Sequence, residues 1–244
     1  MSRAVDWLLA SDEPGVVAQA RRDLLDERAL AEAARVLDGP KVRALLAGQQ
    51  ADGGFGTNVY AKWRGAHWRL VSLVELGVPA GEPRCLAAAE TVLAWLTGKG
   101  HRDRIAVVDG LTRRCASQEG NALAVCCRLG LADDPRVRVL AESLVEWQWP
   151  DGGWNCDRKA SGYRSSFNES LAPMWGLHEY WAATGEAAAR EAAARTAELF
   201  LEHRLFRALA TGEPIHASFV TVHSPPFWHY DFLQALVVLA RMGL

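Results

Sequence analysis

The stretch Gln148-Trp149-Pro150-Asp151-Gly152-Gly153-Trp154 decides the fold, because it has an earlier counterpart in Gln49-Gln50-Ala51-Asp52-Gly53-Gly54-Phe55. Each copy is followed by an apolar segment, which ends at Gly185 in the later copy and at Gly77 in the earlier one. A unit between them, 115–130, also ends in Arg-Leu-Gly. It divides the interval into repeats of roughly 50 residues, a spacing typical of stacked helical hairpins. The sequence therefore predicts a repeat protein built from paired helices.

Two kinds of helix alternate along these repeats. Segment 134–147 places Val137, Leu140 and Leu144 on one face and begins with Asp134-Pro135, a helix N-cap followed by proline in the first turn. Other segments are apolar nearly all round, as is typical of helices buried on most faces. The predicted outer helices are 3–10, 39–48, 82–96, 134–147 and 187–206. The predicted inner helices are 15–28, 64–76, 118–129, 166–183 and 228–242. Nothing in the sequence predicts a β-strand, although 214–226 suits a short extended loop.

Alternating outer and inner helices at a fixed period can close into a ring. We therefore expect an all-α fold, an α/α toroid of about five helical hairpins with a double wall and a central cavity. The chain contains no stretch that reads as a linker, so we expect a single domain over residues 1–244.

Composition excludes several classes of protein. Half of the residues are hydrophobic (50%), 23% are charged and the net charge is −2, so there is no basic excess for binding nucleic acid. Arg3 and Asp6 interrupt the apolar N-terminus, which argues against a signal peptide. No uncharged apolar run approaches the ~18 residues that span a bilayer. The five cysteines are odd in number and form no Cys-x-x-Cys pair. We expect a cytoplasmic protein that does not span a membrane.

Several motifs together resemble a known family. The stretches 49–55 and 148–154 resemble the QW-type repeat of the squalene cyclase and protein prenyltransferase superfamily. The stretches 151–156, 164–167 and 227–231 further resemble bacterial prenyltransferase- or squalene-oxidase-repeat proteins. The resemblance implies an α/α toroid in which the Gln-Asp-Gly-Gly turn ties an outer helix to the next inner one. On that interpretation the turn residues are structural: Asp52, Asp151 and Trp154.

The resemblance also implies a terpenoid cyclase- or prenyltransferase-like enzyme that acts on a hydrophobic small molecule in the cavity. Two departures leave the reaction open between cyclisation, isomerisation and transfer. The Asp-x-Asp-Asp acid motif of squalene cyclases is missing, and Asp133-Asp134 instead begins an outer helix. The zinc-ligand order of the prenyltransferases is not reproduced around Cys156 and Asp157, and only His229 has a counterpart.

Candidate site residues follow from the expected toroid. The inner helices should begin at one mouth of the cavity, where their N-termini would favour an anionic group of the substrate. His229 with Asp231 is the leading acid–base pair. The full predicted catalytic set is His229, Asp231, Glu169, Glu119 and His67. The predicted substrate-binding residues are Trp68, Phe167, Asn168, Trp228 and Tyr230. The alternative is that these side chains only cap helices or fill the core.

A metal site is a further hypothesis. Cys115 and Cys156 occupy similar places one repeat apart, each shortly before an inner helix. With His229 they would form a Cys₂His zinc site that is open at its fourth position. The alternative is that the cysteines are small buried apolar residues.

The role of one connecting segment has two interpretations. His101 and the arginines near it suit a solvated loop, or else a lid over an anionic substrate. These arginines are Arg102, Arg104, Arg113 and Arg114.

The protein could also be a non-catalytic toroid that binds a lipid or peptide, or a subunit that requires a helical partner.

Overall fold

The computed structural model describes residues 2–244, and its regular secondary structure is helical apart from one short β-hairpin, which confirms the all-α class. The helices are α1 (Arg3–Leu9), α2 (Pro14–Leu25), α3 (Leu30–Ala34), α4 (Pro40–Leu46), α5 (Ala66–Glu75), α6 (Pro83–Thr97), α7 (Lys99–Arg102), α8 (Ser117–Arg128), α9 (Pro135–Trp147), α10 (Phe167–Thr184), α11 (Ala187–Glu202) and α12 (Phe232–Arg241). The hairpin pairs β1 (Ala106–Val108) with β2 (Leu111–Arg113) in antiparallel register. Two 3₁₀ turns cover Val36–Asp38 and Ala217–Val220.

All ten predicted helices are present, with shifted ends. The last inner helix begins at Phe232 and not at 228, because the Asp231 side chain caps it by accepting a hydrogen bond from the Gln234 N–H. The β-hairpin was not predicted. The sequence signal for it is Asp109-Gly110 between two apolar residues. Asp109 and Gly110 both adopt the positive φ that a two-residue hairpin turn requires.

The chain groups into two compact units, Met1–Thr91 and Val92–Leu244, with the boundary inside α6. The single domain therefore stays a prediction, as does the toroid. The first unit contains α1 to α5, and its core includes Val42, Leu46, Trp68 and Leu73. Among residues 2–244, no helix combines the length and apolar character needed to cross a membrane.

The two Gln-x-x-Asp-Gly-Gly turns have the same local geometry. The Gln49 amide donates to the Gly53 carbonyl at 3.0 Å and to the Arg84 carbonyl in α6 at 2.8 Å. The Gln148 amide repeats this with the Gly152 carbonyl at 2.9 Å and the Ala192 carbonyl in α11 at 2.8 Å. Each of these turns is thereby bound to a predicted outer helix, α6 or α11. The glutamines are structural.

The glycines of these turns are required for two reasons. Gly53 and Gly152 have φ of 84° and 94°, which residues with a side chain rarely adopt. A Cβ at Gly53 would lie 2.2 Å from the Ala87 carbonyl oxygen, and one at Gly152 would lie 2.6 Å from that of Arg195. The structural interpretation of the Asp-Gly-Gly motif agrees with this packing.

Helices α8 and α10 form the centre of the second unit. Both are buried along most of their length, and they approach closely enough that a Cβ at Gly120 would lie 2.3 Å from the Pro173 nitrogen. The predicted one-sided character of α9 is confirmed, since Val137, Leu140 and Leu144 are buried. This packing brings the first turns of α8 and α10 side by side.

Candidate metal centre

The backbone after β2 brings Cys115 and Cys156 together. Arg113 pairs in parallel with Asn155, and the Arg114 N–H donates to the Asn155 carbonyl at 3.1 Å. The two chain segments therefore run side by side, and the cysteines come directly after the paired residues. Both cysteines are half-buried free thiols.

Glu169, in the first turn of α10, completes the group. Its Oε1 accepts a hydrogen bond from the Cys156 thiol at 3.7 Å. Its Oε2 accepts from the Ser117 hydroxyl at 2.8 Å and from the Ser117 N–H at 3.1 Å, at the start of α8. The two sulfurs and the carboxylate all lie within 4.8 Å of one another. Within residues 2–244, these three side chains form a group whose ligand atoms are close enough together to hold a metal ion.

The electrostatics of the group depend on burial. Glu169 is only 7% exposed, and burial raises its pKa against the opposing effect of the Ser117 hydrogen bonds. The closeness of the two thiols lowers the pKa of Cys156 and raises that of Cys115. A divalent cation among these three atoms would favour their ionised forms.

The donor set fits zinc. Thiolate and carboxylate are zinc ligands, and Zn–S and Zn–O bonds of about 2.3 and 2.0 Å in a tetrahedron place sulfur and oxygen about 3.5 Å apart. The observed distance from Cys156 Sγ to Glu169 Oε1 is 3.7 Å. Three protein ligands leave the fourth position open, as in catalytic zinc sites.

A second buried cluster shares the first turn of α8. Glu119 Oε1 accepts from Arg114 Nε at 2.9 Å and lies 3.1 Å from His101 Nε2. Arg114 also contacts the His101 ring directly and donates to the Gln118 side chain at 3.1 Å. Burial raises the pKa of Glu119 to about 7, despite the charge of Arg114. Burial and Arg114 together lower the pKa of His101 to about 4, so that ring is neutral near pH 7.

This second cluster corrects the expectation for the 101–114 connection. A solvated loop was the favoured interpretation, yet His101, Arg113 and Arg114 are all buried. Arg113 stacks on the Trp149 ring at 4.6 Å and donates to the Gly162 carbonyl. The sequence contains a signal for this pairing. A cationic segment lies directly before a predicted inner helix, and Glu119 in the first turn of that helix offers a carboxylate with which it can pair.

The predicted acid–base pair has a different arrangement. Asp231 is fully buried and accepts from the His223 N–H at 3.0 Å and from the Gln234 side chain at 2.8 Å, in addition to capping α12. His223 Nδ1 also lies 3.2 Å from this carboxylate. His229 lies before the helix and stacks on Trp228 at 3.8 Å between ring centroids. The structure therefore pairs Asp231 with His223, and the metal-ligand group contains Glu169 where His229 was expected.

Three of the predicted substrate-binding residues, Phe167, Asn168 and Tyr230, contact one another or their neighbours within the second unit. Phe167 packs against Phe200 at 4.9 Å and against Tyr230 at 5.2 Å between ring centroids. Asn168 accepts a hydrogen bond from the Tyr230 N–H at 2.7 Å, which ties α10 to the segment before α12. Trp228 is 37% exposed.

The remaining predicted residues, His67 and Trp68, belong to the first unit. Both are buried at the start of α5, with their rings 4.8 Å apart, and Tyr60 packs against His67 at 5.0 Å. Burial lowers the pKa of His67 to about 3, so the ring is neutral at ordinary pH.

Comparison with known proteins leaves the family undetermined. No family model, no curated protein and no solved structure matches the chain. The resemblance to the squalene cyclase and prenyltransferase superfamily thus stays an interpretation of sequence motifs.

Proposed function

We propose that the chain is an enzyme whose reaction centre is a zinc ion held by Cys115, Cys156 and Glu169. The observation that supports this is the convergence of two thiols and one buried carboxylate within 4.8 Å. The three residues are far apart in sequence, and two independent features position them. Backbone pairing brings together the two segments that carry the cysteines, and the Ser117 hydrogen bonds orient Glu169.

The proposed fold is the α/α toroid of the squalene cyclase and prenyltransferase superfamily. Its support is the order of helices, in which each predicted outer–inner pair is present, and the matching geometry of the Gln49 and Gln148 turns. On this basis the substrate is a hydrophobic small molecule, and the reaction is a cyclisation, isomerisation or transfer. A reducing cytoplasm would keep both ligand cysteines as thiols.

The residues around the centre have separate tasks in this proposal. When bound, zinc would supply a Lewis acid with one open position. Glu119 can hold or release a proton near neutral pH, because burial brings its pKa to about 7. While Glu119 is protonated, the charge of Arg114 is not neutralised by that carboxylate and can hold an anionic group of the substrate.

Elemental analysis of the purified protein tests the proposed centre. We expect one equivalent of zinc in the wild type and loss of that zinc in Cys115→Ser, Cys156→Ser and Glu169→Gln. Cys127→Ser is the matched control, because Cys127 is also half-buried but lies near the end of α8, outside the group. His229→Ala should keep its zinc.

Two results would contradict this assignment. Zinc that is lost from His229→Ala but kept by Glu169→Gln would restore the ligand set expected from sequence. Protein purified without chelator that contains no zinc would refute the centre and favour a non-catalytic toroid that binds a lipid or peptide.

A specific observation supports a second candidate, a subunit that needs a helical partner. Segment 228–242 was expected to be buried on most faces, yet α12 exposes Leu233, Leu236 and Val237 by 43%, 44% and 39%. An amphipathic partner helix would cover such residues. Sedimentation velocity showing a stable monomer would count against this candidate.

A further inference from the structure

The two cysteines of the proposed centre are also placed to react with each other. Their sulfurs lie within 4.8 Å of each other. The parallel pair Arg113–Asn155 places Cys156 one residue and Cys115 two residues beyond it, so the two cysteines are offset by one residue along neighbouring segments. With segments about 4.8 Å apart and a rise of about 3.3 Å per residue, this offset gives a Cα separation of about 6 Å, inside the range of about 4.4–6.8 Å that a disulfide bridges.

The other cysteines lack this arrangement. Cys85 and Cys126 are 0% and 1% exposed, so an oxidant in solvent does not reach them. Cys126 and Cys127 are adjacent in α8, and helical geometry directs neighbouring side chains apart. Cys115 and Cys156 are both half-buried, which leaves them accessible to a small oxidant.

We propose that Cys115 and Cys156 are a redox-active pair that a hydroperoxide converts into a reversible disulfide. One thiol attacks the peroxide, whose O–O bond breaks; the sulfur becomes a sulfenic acid and the peroxide leaves as an alcohol, or as water from hydrogen peroxide. The second thiol then displaces the hydroxyl group, which leaves as water with the second thiol's proton. Two thiols are oxidised to one disulfide, and one peroxide is reduced.

The consequence for a bound metal rests on the proposed function. A disulfide removes both sulfur ligands and leaves Glu169 as the remaining ligand. Zinc is then released, and reduction of the disulfide restores the site. The pair thus makes metal occupancy responsive to peroxide.

The test is peptide mapping of the full-length, reduced, metal-free protein after limiting hydrogen peroxide and alkylation. A protease that cleaves after glutamate cuts at Glu119 and separates Cys115 from Cys126 and Cys127. We expect one cross-linked peptide joining Cys115 to Cys156, with the other three cysteines alkylated, and loss of the cross-link on treatment with dithiothreitol. Cys115→Ser should abolish the cross-link and accumulate a sulfenic acid at Cys156, whereas Cys127→Ser should behave as wild type.

The redox inference fails if peroxide produces sulfinic acid without a cross-link, or if the cross-link joins other cysteines. Zinc-loaded protein provides a second readout, the release of one equivalent of zinc to a chromogenic chelator on oxidation. The two proposals fail separately: a cross-link in a protein that never binds zinc refutes only the metal centre, and zinc binding without a cross-link refutes only the redox pair.

Discussion

Substitution of Gly120 by alanine tests the helix contact on which the proposed centre depends. The added Cβ would lie 2.3 Å from the Pro173 nitrogen and 2.4 Å from the Ala172 carbonyl carbon. Both neighbours are backbone atoms, so no side chain can rotate to relieve the clash. Because carbon atoms in contact are about 3.5 Å apart or more, α8 and α10 must separate by about 1 Å.

The expected free-energy change combines two opposing effects. Overpacking of a filled interface costs about 1–3 kcal/mol. Alanine is a better helix former than glycine by about 1 kcal/mol, which offsets part of that cost. We therefore expect Gly120→Ala to lower the free energy of unfolding by up to about 2 kcal/mol.

The same displacement should weaken metal binding. Ser117 on α8 holds Glu169 on α10 through hydrogen bonds of 2.8 and 3.1 Å, and neither tolerates a separation of about 1 Å. Loss of the groups that orient a metal ligand lowers affinity about 10–100-fold. Zinc titration with a competing chelator measures this change.

Gly100→Ala is the matched control, because Gly100 is helical, in α7, and a Cβ added there would have no heavy atom within 4 Å. Urea unfolding should show Gly100→Ala at wild-type stability or up to about 1 kcal/mol above it. If Gly120→Ala is instead more stable than the wild type by about 1 kcal/mol, as helix propensity alone would make it, α8 and α10 do not meet as described, and the arrangement of the proposed centre is wrong.

Two further predictions concern buried carboxylates. Burial raises the pKa of Glu119 from 4.5 to about 7, so its contribution to stability is complete below pH 4.5 and is lost as the pH rises through 7. In the wild type, the free energy of unfolding should therefore fall by up to about 3 kcal/mol between pH 4.5 and 7, and Glu119→Gln should remove this part of the decline. Urea unfolding at several pH values measures it, and an unchanged slope in the variant would contradict the raised pKa. Asp231→Ala should cost about 1–3 kcal/mol, because it removes the cap of α12 and the partner of His223. Its zinc content should equal that of the wild type, and loss of zinc would mean that Asp231 acts at the metal.

Most of the helical architecture was predictable because its signals are local. The Asp134-Pro135 start of α9 and its buried face depend on residues within a few turns of each other. The two Gln-x-x-Asp-Gly-Gly turns were likewise interpreted correctly as structural, since positive φ at Gly53 and Gly152 is a local requirement. The hairpin at Asp109-Gly110 also has a local signal in its two-residue turn, although no strand is predicted there.

The sequence by itself determined which side chains could carry chemistry, and it placed Cys115, Cys156 and Glu169 among them. Their combination was decided only by tertiary structure, because the pairing of Arg113 with Asn155 and the contact of α8 with α10 join residues tens of positions apart. The same long-range packing gave Glu169 its partner Ser117 and gave Asn168 its partner Tyr230, 52 and 62 residues apart. Local patterns specify helices and turns, whereas the partners of a buried charge depend on which helices pack together.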